Sequence, residues 1–446
     1  MSLLGNALSG LTAAQQVLNV ASQNIANVNT PGYSRQEAVI HARTDGSHGR
    51  LSPGAGVEVT SLRRIADDYL VASLWRASSQ AGYDSQTETL LGFAEAVVGS
   101  EELGITTGLD SFFAALNAAT EAPQSIAARQ QILASGGALA SRFQQLSANL
   151  TLQERQINEQ TAANVATINS QLENLALLNR KIMEVQGKGG NTSQLEDQRD
   201  LAVGELAKFM EVRTQRYPDG SMSVTLPAGQ PLVMTGKAAT LQISNGELSL
   251  TMKNQTFPID STGGQLGALL DYQHNTLADL RTRLNEQAET LATAINDQLQ
   301  QGYDLNGDPG IALFVFEPNG AAGTLRINPQ MTAEQLAFIG DDGLGNPVGG
   351  AGDNSNLLEV VALKANFYDA YTSLVGDVAI QSAQIQAQAT ASNSLLQDAQ
   401  SRRDGVSGVN QDEEAIKLMN FIQAYQANAK VVSAADQLFN TLLGMF

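Results

Sequence analysis

The chain reads as mainly α with inserted β: terminal coiled-coil helices, an elongated helical-bundle domain between them, and a small β domain. Three observations predict this. Apolar residues recur at steps of three and four at both ends. The same helical spacing returns through the middle of the chain. Alternating segments with turn signals are concentrated in residues 211–262.

At the N-terminal end, Leu4, Ala7, Leu11, Ala14, Leu18, Ala21, Ile25 and Val28 form one seam, with Asn, Gln, Ser and Thr between them. Asn29-Thr30-Pro31-Gly32 reads as the turn that stops this helix. Residues 34–60 look extended, and a hairpin is expected there. Residues 62–210 read as helices: Leu139, Phe143, Leu146, Leu150 and Ile157 keep helical spacing, as do Val165, Ile168, Leu172, Leu175, Ile182 and Val185. In 211–262, Ser221–Leu226 and Leu241–Ile243 alternate, and Pro218-Asp219-Gly220 and Asn245-Gly246 are turn signals. Helix returns over about 264–301. Residues 303–350 are rich in Gly, Asp and Pro and read as loops and short strands. Helix resumes over about 355–400.

At the C-terminal end, Asn410 is placed to cap a helix, with Glu413 three residues on. Asp412, Glu413 and Glu414 suit its positive end. Ala415, Leu418, Ile422, Tyr425, Ala429, Val432, Phe439 and Leu443 follow the three-four spacing, interrupted by Asp436. Phe421, Ala424, Val431, Ala435, Leu438 and Leu442 form a second stripe, so this helix needs more than one neighbour. Periodicity alone fits ordinary core helices equally well. The placement of one seam at each extreme end favours pairing with the other seam or with another subunit.

Composition narrows the function. With 446 residues, two to four domains are expected. A net charge of −19 argues against nucleic acid and anionic membrane surfaces as partners, because both need a concentrated basic patch. With no cysteine, disulfides, thiolate chemistry and Cys-ligated metals are excluded. No run of about 18 apolar residues occurs, so no membrane insertion is expected, and no cleavable signal peptide is visible.

The sequence carries no recognisable catalytic constellation. His41, His48 and His274 lack a second His at helical metal-pair spacing and read as surface residues. Neither G-x-S-x-G nor a phosphate-binding loop occurs. Asp304-Leu305-Asn306-Gly307-Asp308 starts like a calcium loop, but Pro309 and Val315 stand where Gly and a bidentate Glu are needed, so a tight turn is expected. The paired acids Asp67-Asp68, Glu101-Glu102 and Asp341-Asp342 read as solvated. No catalytic residue, metal or cofactor is expected.

Ser22-Gln23-Asn24-Ile25-Ala26-Asn27-Val28-Asn29-Thr30-Pro31-Gly32-Tyr33-Ser34-Arg35-Gln36 resembles the signature of the flagellar axial proteins, the rod, hook and hook-associated subunits. The ending Tyr33-Ser34-Arg35-Gln36 is similar to the hook-associated branch at the hook–filament junction. Ser407–Asn410, Asp412–Glu414, Gln423–Ala427 and Leu442-Leu443-Gly444 resemble the family's closing helix. Leu178-Asn179, Ile182, the turn Gly187–Gly190, Leu195 and Asp197-Gln198-Arg199-Asp200 resemble an internal helix–turn–helix of the same branch. The resemblance marks Asn27, Asn29, Pro31, Gly32, Tyr33, Ser34, Arg35, Gln36, Asp197, Arg199 and Asp200 as family-motif residues.

The resemblance implies a non-enzymatic structural subunit assembled through its terminal helices. The expected assembly residues are Leu4, Leu11, Leu18, Ile25 and Val28, with Leu418, Phe421, Ile422, Tyr425, Val432, Leu438, Phe439, Leu442 and Leu443. Implied partners are the flagellar hook protein, the next hook-associated protein on the filament side, and further copies in a ring-like homo-oligomer. A flagellar export chaperone on the C-terminal helix and secretion through the export apparatus to the extracellular flagellum are also implied. The expected domains are 1–33 with 405–446 (terminal coiled-coil core), 34–210 with 263–302 and 351–404 (helical, with short β-hairpins), 211–262 (small β module) and 303–350 (loop and short-strand insertion). The short insertion departs from relatives with large outer domains. Alternatives are a hook or rod subunit of the same family, a peptidoglycan hydrolase fused to an axial segment, and a cytoplasmic coiled-coil adaptor.

Overall fold

The computed structural model describes residues 3–43, 54–100, 104–244 and 246–445. His48, Glu101-Glu102 and Asn245 lie outside them.

Helix α1 (Leu3–Ala26) leads through a turn to the antiparallel strands β1 (Gln36–Ala42) and β2 (Val57–Arg64), whose register shifts between Val39 and Ile40. Then come α2 (Asp68–Val98), α3 (Ile105–Ala119), α4 (Ile126–Gly187) and α5 (Ser193–Phe209). Seven strands follow: β3 (Arg213–Arg216), β4 (Met222–Thr225), β5 (Pro231–Met234), β6 (Lys237–Ala238), β7 (Thr240–Ser244), β8 (Glu247–Met252) and β9 (Gln255–Ile259). They form two antiparallel meanders, ordered β3-β4-β5-β6 and β7-β8-β9. Helices α6 (Gly264–Asp271) and α7 (Ala278–Gln300) are joined by a π-helical segment, Tyr272–Leu277. Residues 303–350 hold the strand pair β10 (Phe314–Val315) and β11 (Arg326–Ile327), a 3-10 turn at Pro318–Gly320, the short α8 (Ala321–Thr324) and isolated bridges such as Tyr303 to Ile339. Helices α9 (Ser355–Ala362), α10 (Lys364–Ser407) and α11 (Gln411–Leu443) complete the chain.

Two compact units are formed. One comprises Met1–Gly82, Asn164–Gly264 and Ala391–Phe446; the other comprises Tyr83–Ala163 and Gln265–Thr390. The second unit holds an apolar core built from α3, the first part of α4, α7 and α10, with Phe112, Phe143, Leu291, Phe338 and Leu374 buried together. Phe112 meets Phe113 and Phe314 edge-on at 5.5 and 5.8 Å, the arrangement ring quadrupoles favour. Arg129 of α4 is fully buried there, donating to the carbonyls of Pro123, Ala333 and Leu336 and lying over the Phe338 ring. It fastens the 303–350 insertion to the bundle. The Asp304 loop closes as a turn: Asp304 Oδ1 accepts the Asn306 and Asp308 amides at 2.7 and 2.9 Å.

The first unit carries the terminal helices, the β1–β2 hairpin and the β module. Asn179 of α4 clamps that module, accepting the Met222 N–H and donating to the Met222 and Thr235 carbonyls. Asn169 does the same for β7, giving and receiving one hydrogen bond at Leu241. An amide side chain satisfies a strand's exposed N–H and C=O together, which suits it to anchoring a sheet edge on a helix.

Candidate assembly site

The family-motif residues converge in the first unit, in two connected clusters. The turn after α1 sets them up. Thr30 O accepts the Tyr33 N–H at 3.2 Å, with Pro31 and Gly32 as the central residues. Gly32 has φ +77°, which the third position of such a turn requires, and a Cβ there would press on Leu201 at 3.3 Å.

The first cluster is a polar lock between the two ends of the chain. Asn24 is fully buried on α1. Its Oδ1 accepts the Tyr33 hydroxyl at 2.9 Å and the Gln36 N–H at 3.0 Å; its Nδ2 donates to Gln36 O at 2.9 Å and to Glu414 Oε2 at 3.0 Å. All four hydrogen-bonding positions of the amide are filled, so its burial carries no desolvation debt. Glu414, 1% exposed, also pairs with Lys417 at 2.7 Å. Burial, then Asp197 and Glu414, push the Tyr33 hydroxyl up to about 12. Asn410 caps α11, accepting from the Asp412 and Glu413 amides. The Glu413 carboxylate pairs with Arg35 at 3.2 Å.

The second cluster is an ionic knot. Asp197 of α5 accepts the Ser34 N–H at 3.1 Å and Arg64 Nε at 2.7 Å. Arg64 also reaches Asp200 at 2.6 Å, and Asp200 accepts Arg216 at 3.0 Å. The side chains of Arg64, Asp197 and Asp200 are 7–8% exposed. Burial disfavours the Arg64 charge, but Asp200 and Asp197 outweigh it and hold the guanidinium above its ordinary value. Burial raises the Asp197 carboxyl, opposed by Arg64 and Ser34. Arg199, 2% exposed, donates to Gly220 O and Asn179 Oδ1, so the knot joins the β-module clamp. Burial lowers Arg199 to about 10. From α10, Arg403 donates to Gly32 O, Tyr33 O and Ser34 Oγ.

Of the motif residues, Tyr33, Ser34, Arg35, Gln36, Asp197, Arg199 and Asp200 thus lie in the two clusters. Asn27 makes local bonds to Gln23 and Thr30, while Asn29 and Pro31 are exposed. Asn24, Arg64, Arg216, Arg403 and Glu414 were missed as site residues. An amide standing in an apolar seam was the available signal for Asn24. No periodic pattern marks the arginines; Arg64 and Arg403 meet partners more than a hundred positions away.

The terminal helices pair antiparallel. Asn24 lies against Glu414, and Gly10 against Asn428. The residues buried on α1 are Ala7, Ala13, Ala14, Ala21 and Asn24. The larger members of the expected seam flank it: Leu11, Leu18, Ile25 and Val28 are half-buried and Leu4 is exposed. On α11, Leu418, Phe421 and Val432 are half-buried. Ile422, Tyr425, Leu438, Phe439, Leu442 and Leu443 are exposed. Small residues let the two backbones approach closely, and the larger apolar side chains turn outward.

Among the described residues no group of three or more His, Asp or Glu side chains is gathered as a metal site, and no helix is long and apolar enough to cross a membrane.

Residues 91–314 match the family model described as the flagellar hook-associated protein FlgK helical domain. Residues 4–33 match that of the flagella basal body rod protein, and residues 404–445 that of the flagellar basal body rod FlgEFG protein C-terminal region. The chain is similar to flagellar hook-associated protein 1 of Escherichia coli (strain K12), 25% identical over 547 residues, and to that of Salmonella typhimurium, 26% over 552, with all of both chains covered each time. The Bacillus subtilis (strain 168) protein of the same name is 24% identical over 498 residues, covering 99% of this chain and 97% of that one. The flagellar hook junction protein FlgK from Burkholderia pseudomallei superposes with a TM-score of 0.51 at 28% identity, over 55% of this chain and 47% of that one.

Proposed function

The chain belongs to the FlgK family of flagellar hook-associated proteins, a family of structural proteins, and from that premise we propose how it assembles at the hook–filament junction. It is an axial subunit of the flagellum with hook-related partners, and it oligomerises. The observation that carries the assembly reading is the lock at Asn24 and Glu414. It ties the two ends of the chain into one helix pair that still exposes Leu4, Ile422, Tyr425, Leu438, Phe439, Leu442 and Leu443.

In this reading residues 1–33 and 405–446 act as one assembly element, set on the helical segments by the ionic knot. The exposed apolar side chains become buried against neighbouring subunits. Each such burial contributes about 1.5–3 kcal/mol, which offsets the ordering of the terminal segments. The hook protein lies on one side of a ring-like layer of copies, and the next hook-associated protein on the other. Before assembly, a cytoplasmic chaperone on α11 covers the same face, and the chain leaves through the flagellar export channel.

Antibody-gold labelling of this chain on intact flagella tests the location. A band of label at the boundary of hook and filament is expected. Label along the hook, along the rod, or inside the cell sinks the junction reading in favour of a hook subunit, a rod subunit or an adaptor.

A further inference from the structure

The second unit, built from Tyr83–Ala163 and Gln265–Thr390, holds a cavity of about 290 Å³ lined by α3, α4, α7 and α10. Its floor is apolar: Leu109, Phe143, Leu291, Phe367 and Tyr371, none more than 8% exposed. Its rim is solvated and carries Arg283 and Glu286 from α7 and Ala370 from α10. The volume admits one ring with a short side chain, since about 150 Å³ is enough to hold benzene. A buried apolar floor under a few polar rim groups is the usual form of a small-ligand site.

Charge selects the ligand. This unit carries 24 acidic side chains against 7 basic ones, so it holds −17 of the chain's −19; the other unit has 21 against 19. The basic side chains of α7 and of the start of α10 are already paired. Arg281 meets Glu154, Arg283 meets Asp377 at 3.0 Å and Asp279 at 3.7 Å, and Lys364 meets Asp110 at 3.1 Å. Arg283 therefore leaves no free positive charge at the rim. Glu286 enters no ion pair among the described residues and leaves a negative one there. An anion would enter against this field, and a neutral ring would gain nothing from it. A cation gains from the field and from Glu286, and aromatic walls attract cations further. We propose that the cavity binds a small organic cation, an ammonium group on an apolar body of about one ring. The body fills the floor between α7 and α10, and the ammonium stays at the rim beside Glu286.

Calorimetric titration of the full-length chain at pH 7 tests this with three one-ring probes of different charge: 2-phenylethylamine, 2-phenylethanol and 3-phenylpropionate. The amine should bind saturably at one site, about fivefold tighter than the alcohol and at least tenfold tighter than the carboxylate. No saturable binding of the amine, or a carboxylate that binds as tightly, overturns the proposal. Two variants place the site. Ala370→Phe, at an exposed rim position, fills the cavity and should abolish binding of the amine; unchanged binding overturns the proposal. Glu286→Gln changes an exposed side chain and leaves the fold alone. It should weaken the amine about fivefold, the upper range for a solvated ion pair, and erase its advantage over the alcohol. An advantage that survives Glu286→Gln places the cation elsewhere and overturns the assignment. None of these measurements involves hooks or the terminal helices, so the proposal and the junction reading fail separately.

Discussion

Asp197 holds three distant parts of the chain at once: the Ser34 amide, Arg64 at the end of β2, and its own helix α5. Asp197→Ala leaves Arg64 paired with Asp200 but removes the acceptor of the buried Ser34 N–H and one of the two close carboxylates of Arg64. It should therefore cost about 1–3 kcal/mol in urea unfolding. A loss below about 1 kcal/mol, the range of surface pairs, would show that the knot is not structural. Tyr33 gives a pH signature. Its folded value is raised from 10.0 to about 12, so the folded state holds this proton more tightly. The stabilisation is complete below pH 10 and is lost as pH rises through about 12. Alkaline unfolding monitored from pH 9 to 12 should be less steep in Tyr33→Phe, and an identical slope would contradict this. Little of the knot was legible beforehand. Asp197, Asp200 and Ser34 were marked by resemblance alone, and Arg64 was not marked at all, because ion pairs between residues more than a hundred positions apart leave no periodic trace.

At the scale of elements, periodicity served well where one face of a helix is buried and failed where close approach set the contact. Both terminal helices and the Asn410 cap follow directly from spacing and capping chemistry. Of the expected α1 seam, Ala7, Ala14 and Ala21 are buried and the larger members flank them, because small side chains let α1 and α11 approach closely. Gly10 is the sharpest instance: a Cβ there would meet the Asn428 side chain at 2.8 Å. Gly10→Leu should destabilise the pair by about 1–3 kcal/mol through overpacking. Hydrogen exchange should then speed in α1 and α11 while the Phe112 core of the other unit stays protected. Uniform loss of protection would mean that the pair and the core do not unfold separately. The π-helical segment at Tyr272–Leu277 had no legible signal, since one inserted residue barely disturbs a helical pattern. The hairpin 36–64 was legible from its alternation and flanking glycines.

For the whole molecule, the alignments to the enterobacterial relatives run to 547 and 552 positions against 446 residues here, so about a hundred positions are filled only in those relatives. This chain has the terminal helices, the helical segments, a compact β module and both clusters of the assembly site. The terminal helices and the β strands between residues 211 and 262 were readable from their periodicities. The split into two compact units was not, because α2, α4 and α10 each contribute to both. The account's central claim, a structural subunit without which filament cannot join hook, is met most directly by electron microscopy of a strain lacking this gene. The account predicts finished hooks without filaments, with filament protein shed into the medium; cells without hooks, or cells with normal filaments and no second gene of this family, would contradict it.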